Sequence, residues 1–265
     1  MAGQIIFFEK NKADFTYESV SVTATESDEF AANILNRNNS TAWITTGSVD
    51  ANETTLVIDM ADTKDISEII LIKHNFKSFE VKYWDGTDYQ NFSPAINETT
   101  NSDETNYYVV ESVNTSRIQI VIHGTMVTDS DKFLYQFIAT EKLGQLAGWP
   151  IIKDPKLSRN RKKNLMLSGK QTIFENVGSF SCTLKFNNFS SDQDFTLIEN
   201  LYDQSEGFLV WLCGGDETQF KSIRQGYRMQ DLYLMKCSDE YTPEYNKGLY
   251  KGTISLDIKL EEVVE

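Results

Sequence analysis

The chain has 265 residues, a net charge of −14 and 40% hydrophobic residues, which suits about two folded domains rather than a disordered polymer. The acidity is lopsided: residues 1–148 carry 10 Lys and Arg against 22 Asp and Glu, and residues 149–265 carry 15 against 17. An acidic first half argues against recognition of nucleic-acid phosphates or of anionic membrane surfaces, and no apolar run reaches the roughly 20 residues of a membrane-spanning helix.

In chain order, Met1–Lys10 carries no basic leader, and its apolar run Ile5–Phe8 reads as a first strand. That favours a protein made and assembled in a cytoplasm. Ser27 can cap a short helix over Asp28–Leu35. Strand-like stretches follow at Ala42–Thr45, Leu56–Met60, Ile66–Leu71, Ser78–Gly86 and Arg117–Ile122. In Ser78–Gly86, Phe79, Val81 and Tyr83 point one way while Glu80, Lys82 and Trp84 point the other. Ile69–Ile72 is apolar throughout, as in a strand buried on both faces. Asp85-Gly86 is a hairpin signal. The spacing predicts an antiparallel sandwich rather than alternating strands and helices.

That run from Trp43 to Ile122 resembles the discoidin family, the coagulation-factor type C modules. The resemblance implies a jelly-roll β-sandwich of galactose-binding-like fold over residues 1–148, with Trp43 in its core. Such modules hold and recognise rather than catalyse.

A connector is expected over residues 149–163, where Pro150 and Pro155 break periodicity ahead of the basic run Lys156, Arg159, Arg161, Lys162 and Lys163. That run reads as a solvated face or a dock for an acidic neighbour. Beyond it, residues 164–265 predict a second β-sandwich with one flanking α-helix. Strands are expected at Gly178–Phe186, Phe208–Cys213, Asp231–Cys237 and Thr253–Leu260. Ser191 and Asp194 suit a capping box, Phe195, Ile198, Leu201 and Tyr202 share a helical face, and Gly207 suits the helix end. With the lead-in Asn164–Lys170, this order resembles phage tail-tube and distal-tail ring domains.

Chemistry is sparse. Cys182, Cys213 and Cys237 form no C-x-x-C pair, and Cys182 alternates with Phe180, Leu184 and Phe186 as a buried apolar residue would. His74 and His123 lie at strand ends without a nucleophile or carboxylate motif, and Gly214-Gly215-Asp216 reads as a tight loop. No catalytic motif or cofactor loop is present, so no enzyme is expected. Seven Asn-x-Ser/Thr sites begin at Asn38, Asn39, Asn52, Asn91, Asn97, Asn114 and Asn188. They fit an Asn- and Thr-rich composition.

The discoidin resemblance also implies two sites. A structural calcium would fall on Asn36, Thr41 and Glu141, although Arg37 beside them opposes a divalent cation. A sugar would be gripped by loop aromatics and polar groups, for which Arg37, His74, Asn75, Trp84 and Tyr89 are the candidates. Against the sugar reading, Trp84 can simply cover a sheet face, and Arg117 can pair with carboxylates.

The expected function is therefore a non-enzymatic structural component of a phage tail or baseplate. Its second domain would build a ring, six-fold by analogy, and its first would project as an adaptor onto neighbouring tail proteins. The particle would be a virion assembled in the host cytoplasm, with no membrane or nucleic-acid sequence recognised. The alternative is a carbohydrate-binding adhesion protein recognising a cell-surface glycan.

Overall fold

The computed structural model describes residues 5–17, 19–37, 41–146, 150–157, 161–165, 171–175, 179–189, 192–212, 232–247 and 253–263. The chain is mostly β and antiparallel, and it divides into two compact units. Phe8–Lys142 makes up the body of one unit; the other joins Met1–Phe7 to the chain from Leu143 onward. The N-terminal strand β1 (Ile6–Phe8) exists as read from the sequence, but it belongs to the sheet of the C-terminal unit rather than to the sandwich that follows it.

The N-terminal unit contains β2 (Ser21–Ala24), a 3-10 helix (Asp28–Ile34), β3 (Trp43–Ile44), β4 (Thr54–His74), β5 (Phe76–Trp84), β6 (Tyr89–Glu98), β7 (Thr105–Thr125) and β8 (Phe133–Thr140). The sheet order is β3-β8-β4-β7-β5-β6, with β2 on β4. Leu56–Met60 and Ile66–Leu71, read as separate strands, are the two ends of β4. Between them the register with β7 slips from Asp59↔Arg117 to Lys64↔Thr115, and Ala61 adopts φ 63. A bulge of this kind bends a strand without ending its pairing. Residues 56–59 therefore pair with β2, while residues 68–74 pair with β8. Strands β4 and β7 thus pass from one layer of a sandwich into the other.

The two layers close on one apolar core. Leu56, Ile58, Phe79, Val81, Ile118, Ile120 and Ile122 come from one side, and Ile69, Leu71, Leu134, Phe137 and Ala139 from the other. Each such side chain is worth about 1.5–3 kcal/mol when fully buried. Trp43 is fully buried in that core, and its indole N–H donates to the Glu26 carbonyl at 3.0 Å. The helix of Asp28–Leu35 is tighter and one residue shorter than expected. Ser27 sits in the left-handed region (φ 52) and makes no side-chain cap; instead the Asp28 carboxylate accepts the Ala24 amide at 2.7 Å.

The loop between β3 and β4 is tied to β8 by a buried cation. Lys132 is fully buried, and its Nζ donates to Ser48 Oγ (2.8 Å), Thr54 Oγ1 (2.9 Å), the Asn52 carbonyl (2.7 Å) and, at longer range, the Val49 carbonyl (3.3 Å). Burial lowers its pKa, opposed by Glu26 and Asp50. Asp50 and Asp131 reinforce the tie by accepting the Thr125 and Ser48 amides.

The C-terminal unit contains β9 (Lys142–Gln145), β10 (Ile151–Leu157), β11 (Arg161–Leu165), β12 (Gln171–Glu175), β13 (Phe180–Phe189), α1 (Asp192–Tyr202), β14 (Phe208–Trp211), β15 (Leu232–Cys237), β16 (Glu244–Tyr245) and β17 (Ile254–Glu262). An eight-stranded sheet runs β10-β13-β17-β15-β14-β1-β9 with β16 on β17, and β11 pairs with β12 apart from it. Residues 151–157, expected within a connector, are an edge strand of this sheet. The alternation read at Ile254, Leu256, Ile258 and Leu260 is a buried row, faced on β13 by Phe180, Cys182, Leu184 and Phe186. Phe180 stacks on Tyr233 at 4.3 Å, and Phe7 meets Phe208 edge-on at 5.9 Å. Helix α1 buries Leu197, Ile198 and Leu201. A Cβ at Gly144 would lie 2.7 Å from Leu197, so this glycine lets the helix approach β9 closely. Gly207 lies five residues beyond the helix end and does not cap it. Its φ of 92 forms the turn into β14, where a Cβ would fall 2.9 Å from the Met235 carbonyl.

Replacing Lys132 by Met removes the cation and leaves its carbonyl partners without a donor. At roughly 1–3 kcal/mol for a buried group left unsatisfied, Lys132→Met lowers the unfolding free energy in urea by at least about 2 kcal/mol. An unchanged midpoint would show that the tie carries no stability.

Candidate functional site

The five sugar candidates separate into buried and exposed residues. His74 and Asn75 are interior. Alternation along β4 would send Lys73 inward and His74 outward, but Lys73 adopts φ 51 and reverses them. His74 is fully buried against Phe76 and Phe79 at 4.8 and 5.5 Å. The Phe76 amide donates to His74 Nδ1 at 3.1 Å, so Nδ1 is an acceptor and Nε2 carries the proton, which it donates to Asn106 Oδ1 at 2.7 Å. Burial pulls the imidazole down to about 4, with the Asn106 bond opposing. Asn75 is equally committed, donating to Ser130 Oγ and the Asp131 carbonyl and accepting the Phe133 amide. Both residues brace the turn between β4 and β5 and offer nothing to a ligand.

Arg37 is half-buried and grips Asp14 through Nε (2.8 Å) and Nη2 (2.9 Å), with the Phe15 ring 5.3 Å from its guanidinium carbon. The calcium candidates divide in the same region. Asn36 and Thr41 bond to each other at 3.0 Å. The Glu141 carboxylate turns to Lys12 at 4.0 Å, and Lys12 also bonds Glu9. Burial raises the Glu141 pKa, and Glu9 raises it further. Lys12 and Arg37 therefore supply positive charge to these carboxylates, as a divalent ion would. Among the described residues, no three His, Cys, Asp or Glu side chains converge as a metal site.

Trp84 and Tyr89 come together. They face each other across the hairpin of β5 and β6, with ring centroids 5.1 Å apart at 63°. Arg117, from the neighbouring strand β7, places its guanidinium carbon 5.9 Å from the Trp84 ring. Its Nε donates to Asp59 Oδ2 at 2.7 Å, and Asp59 is its partner in register on β4. Asp59 Oδ1 is taken by the Ala61 amide at 2.8 Å. Beneath them, the buried Thr115 hydroxyl lies 2.8 and 2.9 Å from the carbonyls of Trp84 and Arg117 and 3.2 Å from both of their amides. This pins the two backbones where β7 passes the bulge. Among the described residues the terminal guanidinium nitrogens of Arg117 have no hydrogen-bond partner. Burial raises the Tyr89 pKa, so its hydroxyl stays a proton donor.

Four strands thus bring an aromatic pair, a guanidinium with unused donors and a carboxylate into one partly exposed patch. Arg117 pairing with a carboxylate was legible from the sequence. Its neighbourhood to Trp84 was not, because it depends on the register of β5 against β7 (Tyr83↔Ile118).

His123 lies between Glu53 (3.3 Å) and Glu80 (3.6 Å) on separate ring nitrogens. Cys182 is buried, and burial pushes the Cys237 thiol up to about 12. Cys213, the Ser191 cap, Gly214-Gly215-Asp216, residues 166–170 and the sites at Asn38 and Asn39 lie outside the described residues.

No family model matches the chain, and no curated protein matches it. Solved structures do resemble half of it. Chitosan-binding module 1 from the chitosanase/glucanase of Paenibacillus sp. IK-5 is 13% identical, covering 49% of this chain and 98% of its own, with a TM-score of 0.41. The module CpGH89CBM32-6 of Clostridium perfringens is 15% identical over 50% of this chain and 99% of its own, also at 0.41. CpGH89CBM32-5 from the same organism, solved with GalNAc-β-1,3-galactose, is 12% identical over 46% and 96%, at 0.39.

Two buried titratable groups act on stability with opposite sign. His74 is depressed from 6.5 to about 4, so its contribution is complete above pH 6.5 and is lost as pH falls toward 4. By linkage that amounts to roughly 3 kcal/mol. Urea unfolding at pH 7 and pH 4 should show this loss, and a His74→Gln variant should flatten it.

Glu68 is buried with Oε2 unbonded, and burial raises its pKa despite a hydrogen bond from Tyr107. Its ionisation therefore destabilises the fold as pH rises through the raised value. Glu68→Gln should stabilise by about 1 kcal/mol at pH 7, and the difference should vanish at pH values where the wild-type carboxyl is protonated.

Proposed function

We propose that this chain is a carbohydrate-binding protein, without catalytic activity, whose N-terminal unit recognises a cell-surface glycan through Trp84, Tyr89 and Arg117. The supporting observation is the patch itself: a half-buried aromatic pair beside a guanidinium that is held in place yet has unused donors. A pyranose ring offers C–H faces that pack on aromatic rings, and hydroxyl oxygens that accept hydrogen bonds from fixed donors. A surface locked by sheet register and by Thr115 loses little freedom when it binds.

The tail-component reading is less well supported. Ring building through sheet edges would call for open edges. In the C-terminal unit one edge strand, β10, carries a register break between Lys153 and Lys156, a left-handed Asp154 and Pro155, and the other, β9, has four residues. In the N-terminal unit, edge strand β6 carries Pro94 and β3 has only two residues. Bulges, prolines and short edges all discourage edge-to-edge pairing.

Glycan-array and titration measurements on the full chain test the proposal. Saturable binding is expected, weakened at least about tenfold by Trp84→Ala, a loss of 1.4 kcal/mol or more, with unchanged thermal unfolding. A wild-type protein that binds no glycan, while sedimenting as a closed ring, would replace this reading with the assembly one.

A further inference from the structure

We infer that Asp59 sets the specificity of the Trp84–Tyr89–Arg117 surface, directing it to uncharged sugars and against sugar acids; this rests on the glycan-binding reading. Arg117 alone would favour carboxylates, because a guanidinium fork matches their two oxygens. Asp59 changes that balance. Its Oδ2 lies 2.7 Å from Arg117 Nε, so the arginine's charge is already compensated on one side while its side chain stays 45% exposed. A ligand carboxylate reaching those nitrogens would lie within a few ångströms of Asp59, and repulsion by the aspartate would offset much of the attraction by the arginine.

The surroundings act in the same direction. The turn joining Trp84 to Tyr89 carries Asp85 and Asp88. The Asp85 carboxyl is held below its usual range by the amides of Asp88 and Thr87, so it is ionised. Lys82, the next cation along β5, is paired with Glu80. What remains on offer is neutral: donors from Arg117 and the Tyr89 hydroxyl for sugar oxygens, and ring faces for C–H groups.

The geometry also explains how the carboxylate is aimed. Asp59 precedes the left-handed Ala61, and accepting the Ala61 amide fixes its side chain at the start of the β4 bulge. The bend that carries β4 between layers thereby orients the residue that tunes the surface.

Affinity electrophoresis of the full chain through gels containing neutral glucan, mannan or galactan, or polygalacturonate, tests this directly. The wild type should be retarded by at least one neutral polymer and not by polygalacturonate. Asp59→Asn keeps the Oδ1 acceptor and removes the charge. It should gain polygalacturonate binding by about tenfold or more, suppressed by added salt, and the double variant Asp59→Asn/Arg117→Gln should lose that gain. If Asp59→Asn fails to fold, Asp59→Ser supplies the same comparison. Wild-type retardation by polygalacturonate as strong as by neutral polymers, or unchanged selectivity in the variants, overturns the role of Asp59. Absence of retardation by every polymer overturns the glycan-binding reading with it.

Discussion

The antiparallel pairing of β4 with β7 is the constraint on which the N-terminal unit depends. Each strand runs for 21 residues and serves both layers of the sandwich. The register slip between Asp59 and Lys64 lets them bend without losing partners. Both layers then share one core, and the bulge also fixes surface chemistry. Asp59 at its start meets Arg117, and Thr115 at its far side holds the backbones of Arg117 and Trp84. A strand that ended at Met60 would forfeit the second layer's pairing and the alignment of the patch together.

A second theme is how an acidic chain handles its interior charge. With a net charge of −14, cations are scarce, and several of them are used internally. Lys132 gathers hydroxyls and carbonyls of the Ser48–Thr54 loop, Arg37 clasps the buried Asp14, and Lys12 lies between Glu9 and Glu141. A tethered ammonium or guanidinium does locally what a bound ion can do, without depending on ion concentration. Arg117 is different. It is paired with Asp59 through Nε, and its side chain is partly exposed.

Much of the fold was legible from residue patterns. Alternation marked the cores of β4, β5, β7, β13 and β17, and Trp43 is the core residue that the discoidin resemblance implied. The Asp85-Gly86 turn joins β5 to β6 as expected, with Gly86 at φ 101. The failures have local causes. The 3-10 helix forms without the Ser27 cap because Asp28 bonds backward to Ala24. His74 was a sugar candidate at a strand end, and period-two counting could not foresee the left-handed Lys73 beside it. Ile151–Leu157 looked like a connector because Pro155 and its charges suit an edge strand as well as a loop.

By itself, then, the sequence determined the elements: their period, their turns and the mostly β class, since these follow from side-chain spacing along one strand. Only the tertiary structure decided which sheet β1 joins and which candidate residues are buried. It also decided that Arg117 and Asp59 stand beside Trp84 and Tyr89. Those outcomes depend on register between strands distant in the chain, and a slip of one residue would turn every side chain to the opposite face.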